Sequence, residues 1–252
     1  MTRITEIATA PVKGFALAAR DEVYLGAHGV VDNRRFFLVD GEGRRLRSSL
    51  TAWPIVVSAT YDEDREQLTM RFPDGAKLTA SAVGNGETVR CIVSNGTLEA
   101  RVVPGPWAEP LSELAGHPVC VVRPELPGAS LAAPVTFVSR ASLDRLAEEA
   151  GRAIDSRRFR MLFTIDGCGA HEEDEWVGRK ARVGEALLRF GGPVERCAMT
   201  TRDPDTGARD LDTLRLIKGY RGMPRKGKID FGVYADIVEP GLVRVGDSVE
   251  LA

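Results

Sequence analysis

Apolar and polar residues alternate along much of this chain with the two-residue period of half-buried strands. Ile4 to Ala8 opens the pattern, and Arg35 to Asp40 continues it up to the turn Gly41-Glu42-Gly43. Ile55 to Tyr61, Thr88 to Val93, Leu98 to Val103 and Pro118 to Arg123 read the same way. Gln67 to Phe72 and Ala76 to Ala80 flank Pro73-Asp74-Gly75, which predicts a hairpin. Further strands are expected at Met161 to Ile165, Ala186 to Phe190, Phe231 to Val238 and Val249 to Leu251. Short strands at close intervals, with turn residues between them, predict a mainly β protein built as a barrel or sandwich.

Helical periodicity is scarce. A short helix is expected over Glu109 to Leu114, ended by Gly116. The clearest one follows Ser139 or Ser142 as N-cap. Its apolar face is Leu143, Leu146, Ala147 and Ala150, and Gly151 ends it. Another is expected over Asp212 to Lys218, ended by Gly219. Pro124 to Pro134 is the most linker-like segment, and Lys218 to Lys228 reads as a basic loop.

Composition narrows the function classes. A chain of 252 residues with a formal net charge of −2 gives no reason to expect nucleic acid or an acidic membrane surface. No apolar run approaches the roughly 18 residues of a membrane span, and the N-terminus has no apolar signal core. The four cysteines are widely spaced and form no CxxC pair. That pattern disfavours a zinc ribbon or disulfide framework and leads to the expectation of a reducing, cytoplasmic setting. With three histidines, little is available for a His-based metal site.

The sharpest chemical candidate is Cys197. It follows Arg196, sits after the break Gly191-Gly192-Pro193, and precedes the turn Asp203-Pro204-Asp205-Thr206-Gly207. A free cysteine is ordinarily a small buried hydrophobe. An adjacent guanidinium, however, favours the thiolate, which is the form that ligates metals or attacks electrophiles. Cys168 is the rival, but Asp166 nearby disfavours its thiolate; Cys91 and Cys120 lie in strand patterns and are expected in the core. Loop cations recur at strand ends: Lys13, Arg34 with Arg35, Arg157 with Arg158 and Arg160, and Arg196. Each alone reads as a solvated charge, whereas a convergent set would hold a phosphate. The acidic run Glu172 to Glu175 reads as a solvated face, or as a rim toward a basic redox partner, with His171 at the surface. Dinucleotide, Walker, HExxH and GxSxG motifs are absent from the sequence.

Taken in order, these pieces resemble the MOSC family, named for the C-terminal domain of molybdenum cofactor sulfurases, which includes the amidoxime-reducing components. Pro11-Val12-Lys13-Gly14 looks like its N-terminal element, and Asn33-Arg34-Arg35-Phe36 like its DRRW-type strand. Arg158-Phe159-Arg160 corresponds to its FRPN element, and Asp166-Gly167 with Glu173-Asp174-Glu175-Trp176 to its G…EDxW segment. Arg196-Cys197 with Thr200-Thr201 and the DPDTG turn is like its most specific core; Phe231-Gly232-Val233-Tyr234 and Val245-Gly246-Asp247 resemble its closing elements.

The resemblance implies an N-terminal β-barrel domain over 1–103 and a MOSC domain over 104–252. It implies a molybdenum–pterin cofactor between them, with Cys197 as metal ligand and catalytic residue. Lys13, Gly14, Arg34, Arg160 and Arg196 would join Cys197 in binding that cofactor. The implied activity is two-electron reduction of small N-hydroxylated compounds, with electrons from a separate transfer protein, since no flavin motif or iron–sulfur cysteine set is present. The alternative is a sulfur-carrier or cofactor-delivery protein using Cys197 as persulfide or ligand. Three places depart from the family pattern: Asn33 stands for an aspartate, Met161-Leu162 for Pro-Asn, and Glu195 for a serine.

Overall fold

A computed structural model describes residues 1–46, 51–93, 96–128, 133–223, 225 and 227–252. Its strands are β1 (Arg3–Thr9), β2 (Ala18–Arg20), β3 (Glu22–Leu25), β4 (Phe37–Asp40), β5 (Ser58–Asp62), β6 (Gln67–Arg71), β7 (Lys77–Ser81), β8 (Thr88–Val93), β9 (Gly96–Val102) and β10 (Val119–Pro124). They continue as β11 (Val135–Ser139), β12 (Phe163–Asp166), β13 (Lys180–Val183), β14 (Ala186–Glu195), β15 (Asp230–Glu239), β16 (Gly241–Arg244) and β17 (Val249–Leu251). The α-helices are α1 (Ala108–Ala115), α2 (Arg140–Ala150) and α3 (Thr213–Arg221). The protein is mainly β, as the alternating pattern requires.

The largest sheet has the order β17-β13-β14-β15-β11-β12-β1-β2. Its pairs are antiparallel except β11 with β12, which run parallel because α2 crosses between them. Ser139 caps α2 by accepting a bond from the Ser142 amide at 3.0 Å, and Gly151 ends it with φ 64°. In β1 a register shift between Ile4 and Glu6 changes the parity of the strand, so Ile4 and Ile7 both face inward. They enter a core with Phe137, Phe163, Trp176, Phe190 and Val233. A second core gathers Val12, Phe15, Phe36, Leu68, Met70, Trp107 and Leu111 between the β4-β10-β9-β8 and β5-β6-β7 sheets.

The cores do not follow chain order. Val23, Leu25 and Val30 pack with C-terminal strands, and β10 bonds β4 and β9. Backbone pairing crosses the expected division at residue 103: β1 bonds β12, and β10 bonds β4 and β9.

Several local expectations are corrected. The strand expected from Ile55 begins at Ser58, because Pro54 starts a 3₁₀ turn over Trp53–Val56. Gly191-Gly192-Pro193 is no break: β14 runs through it to Glu195, with register shifts on either side. α3 continues past Gly219 and ends at Gly222. Cys120 is exposed rather than core, while Cys91 is buried. Parts of the Pro124 to Pro134 and Lys218 to Lys228 segments lie outside the described residues.

Gly232 lies where β15 crosses β11, with φ 77°. A Cβ there would overlap the Phe137 carbonyl and come within 2.6 Å of Met161 Cε. Gly232→Ala is expected to cost at least about 2 kcal/mol, from left-handed strain plus overpacking. A denaturant midpoint measured against the wild type checks this.

Candidate functional site

Lys13, Gly14, Arg34, Arg160, Arg196 and Cys197 all line one cavity of about 550 Å³. They come from four separate segments, so the fold achieves the convergence that sequence alone cannot show. The volume falls within the range of small-molecule and cofactor sites.

The Lys13 segment is zipped to the Arg34 segment through backbone. The Lys13 amide donates to the Phe36 carbonyl at 2.8 Å, the Phe36 amide to Pro11 at 3.0 Å, and the Arg34 amide to Ala10 at 2.6 Å. Gly14 follows with φ 96°, a conformation that glycine adopts without steric cost. Arg34 and Arg160 both hold left-handed backbone, with φ 55° and 53°. For a long side chain this is strained, and such strain concentrates at functional sites. Arg160 is the C-cap of the 3₁₀ turn Ser156–Phe159, whose N-cap Asp155 accepts from the Arg157 amide at 2.8 Å. Arg34 Nη2 donates to the Arg160 carbonyl at 2.7 Å, and Arg160 Nη2 donates to the Phe15 carbonyl at 2.6 Å.

Arg196 and Cys197 arrive at the end of β14. The Arg196 amide donates to Ile229 at 2.7 Å. Its guanidinium donates to the Phe231 carbonyl from Nε at 2.8 Å, to the Phe159 carbonyl from Nη1 at 3.0 Å, and to Met161 Sδ from Nη2 at 2.9 Å. It also lies over the Phe159 ring, 5.3 Å from the centroid. Arg196 thus fixes the strand end. Cys197 is the N-cap of the 3₁₀ turn Ala198–Thr201, and its carbonyl accepts from the Thr200 amide and hydroxyl, both at 3.2 Å. The Thr200 hydroxyl bonds Thr213 at 2.7 Å. The backbone of Cys197 is therefore held while its thiol stays exposed.

Two classes of arginine separate here. Arg158, 4% exposed, bonds Asp210 through both Nη atoms at 2.7 Å; Arg157 bonds Asp155 and Asp205. These pairs tie the 156–159 turn to the DPDTG loop. In contrast, Arg34, Arg160 and Arg196 make no ion pair with a carboxylate among the described residues; their acceptors are carbonyl, amide and thioether atoms. Asn33 accepts from the Ala10 amide and from Arg34 Nη1 without supplying a charge. Desolvation lowers Arg160 to about 9, with Arg34 beside it adding repulsion, and lowers Arg34 and Arg196 to about 10. Desolvation, then Arg45, Arg34 and Arg160, brings Lys13 down to about 7. Such a cavity is built to receive an anion.

Among the described residues no group of three or more His, Cys, Asp or Glu is placed to hold a metal ion. A metal at Cys197 would need a bound organic group to supply its other ligands. An anionic cofactor that chelates its own metal fits this donor set: cations for the anion, one accessible sulfur for the metal.

Arg45 also lines the cavity, although in the sequence it stands only as a charge after the Gly41-Glu42-Gly43 turn. Arg35, beside Arg34, points elsewhere and donates to Pro124 at 2.5 Å. The acidic run is not a uniformly solvated face: Glu173 is fully buried, accepting from the Ser139 amide and the Ser142 hydroxyl. His171 is half-buried against Tyr220 and Arg221, and desolvation lowers it to about 4. Burial followed by Glu173 raises Cys168 to about 12, which removes it as a rival thiolate.

Residues 127–250 match the MOSC domain. Mitochondrial amidoxime-reducing component 1 of Mus musculus is 25% identical, over 95% of this chain and 78% of the mouse protein. Mitochondrial amidoxime reducing component 2 of Bos taurus is 34% identical, over 46% of this chain and 36% of its own length. The crystal structure of the YUAD protein from Bacillus subtilis aligns with TM-score 0.50 at 12% identity, covering 100% of this chain and 96% of that one, a likeness of fold.

Two outcomes are expected from the electrostatics. A bound dianion restores the charge of Lys13, so above about pH 7 binding takes up a proton and affinity falls as pH rises. Titration calorimetry with sulfate, in buffers of different ionisation enthalpy, should show proton uptake at pH 8 and little at pH 6. Asp210→Ala leaves Arg158 buried with, among the described residues, only the Asp203 carboxylate at 3.6 Å, and should cost about 2–4 kcal/mol in chemical denaturation.

Proposed function

The chain belongs to the MOSC domain family, and from that premise we propose that it is a molybdenum cofactor-dependent reductase of N-hydroxylated compounds. The observation that carries this reading is a single cavity lined by Lys13, Arg34 and Arg160 together with the exposed Cys197 thiol. Two relatives that match most of this chain are named as amidoxime-reducing components.

In this reading Lys13, Arg34 and Arg160 hold the cofactor's phosphate, where Arg160 retains the most unused guanidinium donors. Gly14 lets the backbone approach it closely. Cys197 supplies a thiolate, a soft ligand suited to a metal already bound through sulfur. Arg196 anchors the strand end that carries that sulfur. The bound group supplies two-electron redox chemistry. The substrate's N–O bond is cleaved with two electrons and two protons, leaving an N–H product and water. The electrons come from a separate protein. In this reading the protein works in the cytoplasm, a reducing setting that suits the free cysteines Cys91, Cys120, Cys168 and Cys197.

Protein from a cofactor-competent host is expected to carry roughly one molybdenum per chain, and Cys197→Ala to lose most of it. Metal analysis of both proteins reads this directly. Reduction of an amidoxime with a chemical electron donor then tests the activity. Metal-free wild-type protein bearing a persulfide on Cys197 would replace this reading with the sulfur-carrier one.

A further inference from the structure

We propose that Glu195 is a specificity residue that selects substrates with a cationic, amidinium- or guanidinium-like head. Among the described residues lining the cavity it supplies the single carboxylate, in a wall whose other charged residues are Lys13, Arg34, Arg45, Arg158, Arg160 and Arg196. A cavity shaped by cations alone repels a positively charged ligand; one acidic side chain creates the place where such a ligand can enter.

Its position relative to Cys197 follows from the backbone. β14 ends at Glu195, and Cys197 is extended, with φ −122° and ψ 175°. In extended chain, residues two apart project to the same side, about 7 Å apart. Exposure follows this alternation: Val194 is buried, Glu195 exposed, Arg196 half-buried and Cys197 exposed. Glu195 and Cys197 thus line the same cavity from positions one strand repeat apart.

Glu195 is available. Its Oε2 lies 2.9 Å from Lys228 Nζ, in a pair about half exposed on both sides. Oε1 has no hydrogen-bond partner among the described residues. Exposed pairs of this kind are weak. An amidinium offers two parallel N–H donors to one carboxylate, a geometry the lysine ammonium cannot match, so it displaces Lys228.

This inference names the substrate class of the reductase proposed above and rests on that reading, but its first test does not need the metal. Benzamidine, a cation, and benzamide, its neutral counterpart, are titrated into wild-type, Glu195→Gln and Lys228→Met proteins. Wild-type protein is expected to bind benzamidine more tightly than benzamide. Glu195→Gln should weaken benzamidine about tenfold and leave benzamide unchanged, while Lys228→Met should tighten benzamidine. No benzamidine binding by the wild type, or equal binding by Glu195→Gln, overturns the proposal. With molybdenum-loaded protein, Glu195→Gln should raise KM for an N-hydroxyguanidine with kcat little changed, and spare a neutral amidoxime. If neither compound is reduced by the wild type, the reductase reading falls while the benzamidine result still decides the role of Glu195.

Discussion

Two arginines in left-handed backbone hold this site together. Arg34 grips the carbonyl of Arg160, and Arg160 grips the carbonyl of Phe15. Each conformation costs about 1–2 kcal/mol for a residue with a Cβ, so each needs its surroundings to hold it. Arg34 is held by its amide bond to Ala10 and by Asn33; Arg160 is held as the cap of the turn that Asp155 begins. Because the contacts join residues 126 and 145 positions apart, the cationic cavity exists only when the two cores are assembled. The site is a property of the junction, and neither segment carries it alone.

The distribution of carboxylates decides which cations serve the fold and which serve a ligand. Arg157 and Arg158 are neutralised by Asp155, Asp205 and Asp210, and Arg221 by Asp174. Arg34, Arg160 and Arg196 find only neutral acceptors among the described residues. Asn33 gives Arg34 an oxygen without a charge, and Met161 gives Arg196 a polarisable sulfur. The departures at 33 and 161 therefore give Arg34 and Arg196 no compensating charge. Glu195, which looks out of place beside an anionic cofactor, pairs with Lys228 and lines the same cavity as Cys197.

Much of the fold was legible because strand alternation, turn residues and helix caps are local. The hairpin around Pro73-Asp74-Gly75 and the cap of α2 by Ser139 both appear where the pattern puts them. Local rules failed where one residue carries two readings. Gly191-Gly192-Pro193 breaks an isolated strand, but β15 alongside absorbs it as register shifts. Glu173 belongs to a run of four acids that reads as a wet surface, yet two donors draw it into the interior.

The sequence by itself determined the β-rich class, the order of the motifs, and one candidate thiol, Cys197, among several loop cations, from which the family resemblance picked out Lys13, Arg34, Arg160 and Arg196. Class and motif order depend on neighbours along the chain. Only the tertiary structure decided that the five share one cavity, that Arg45 and Arg158 also line it, the latter paired with Asp210, and that Arg35 does not. Charge makes every arginine alike in a sequence. What separates them is whether folding brings a carboxylate or only carbonyl oxygens within reach, and that is set by contacts between residues far apart in the chain.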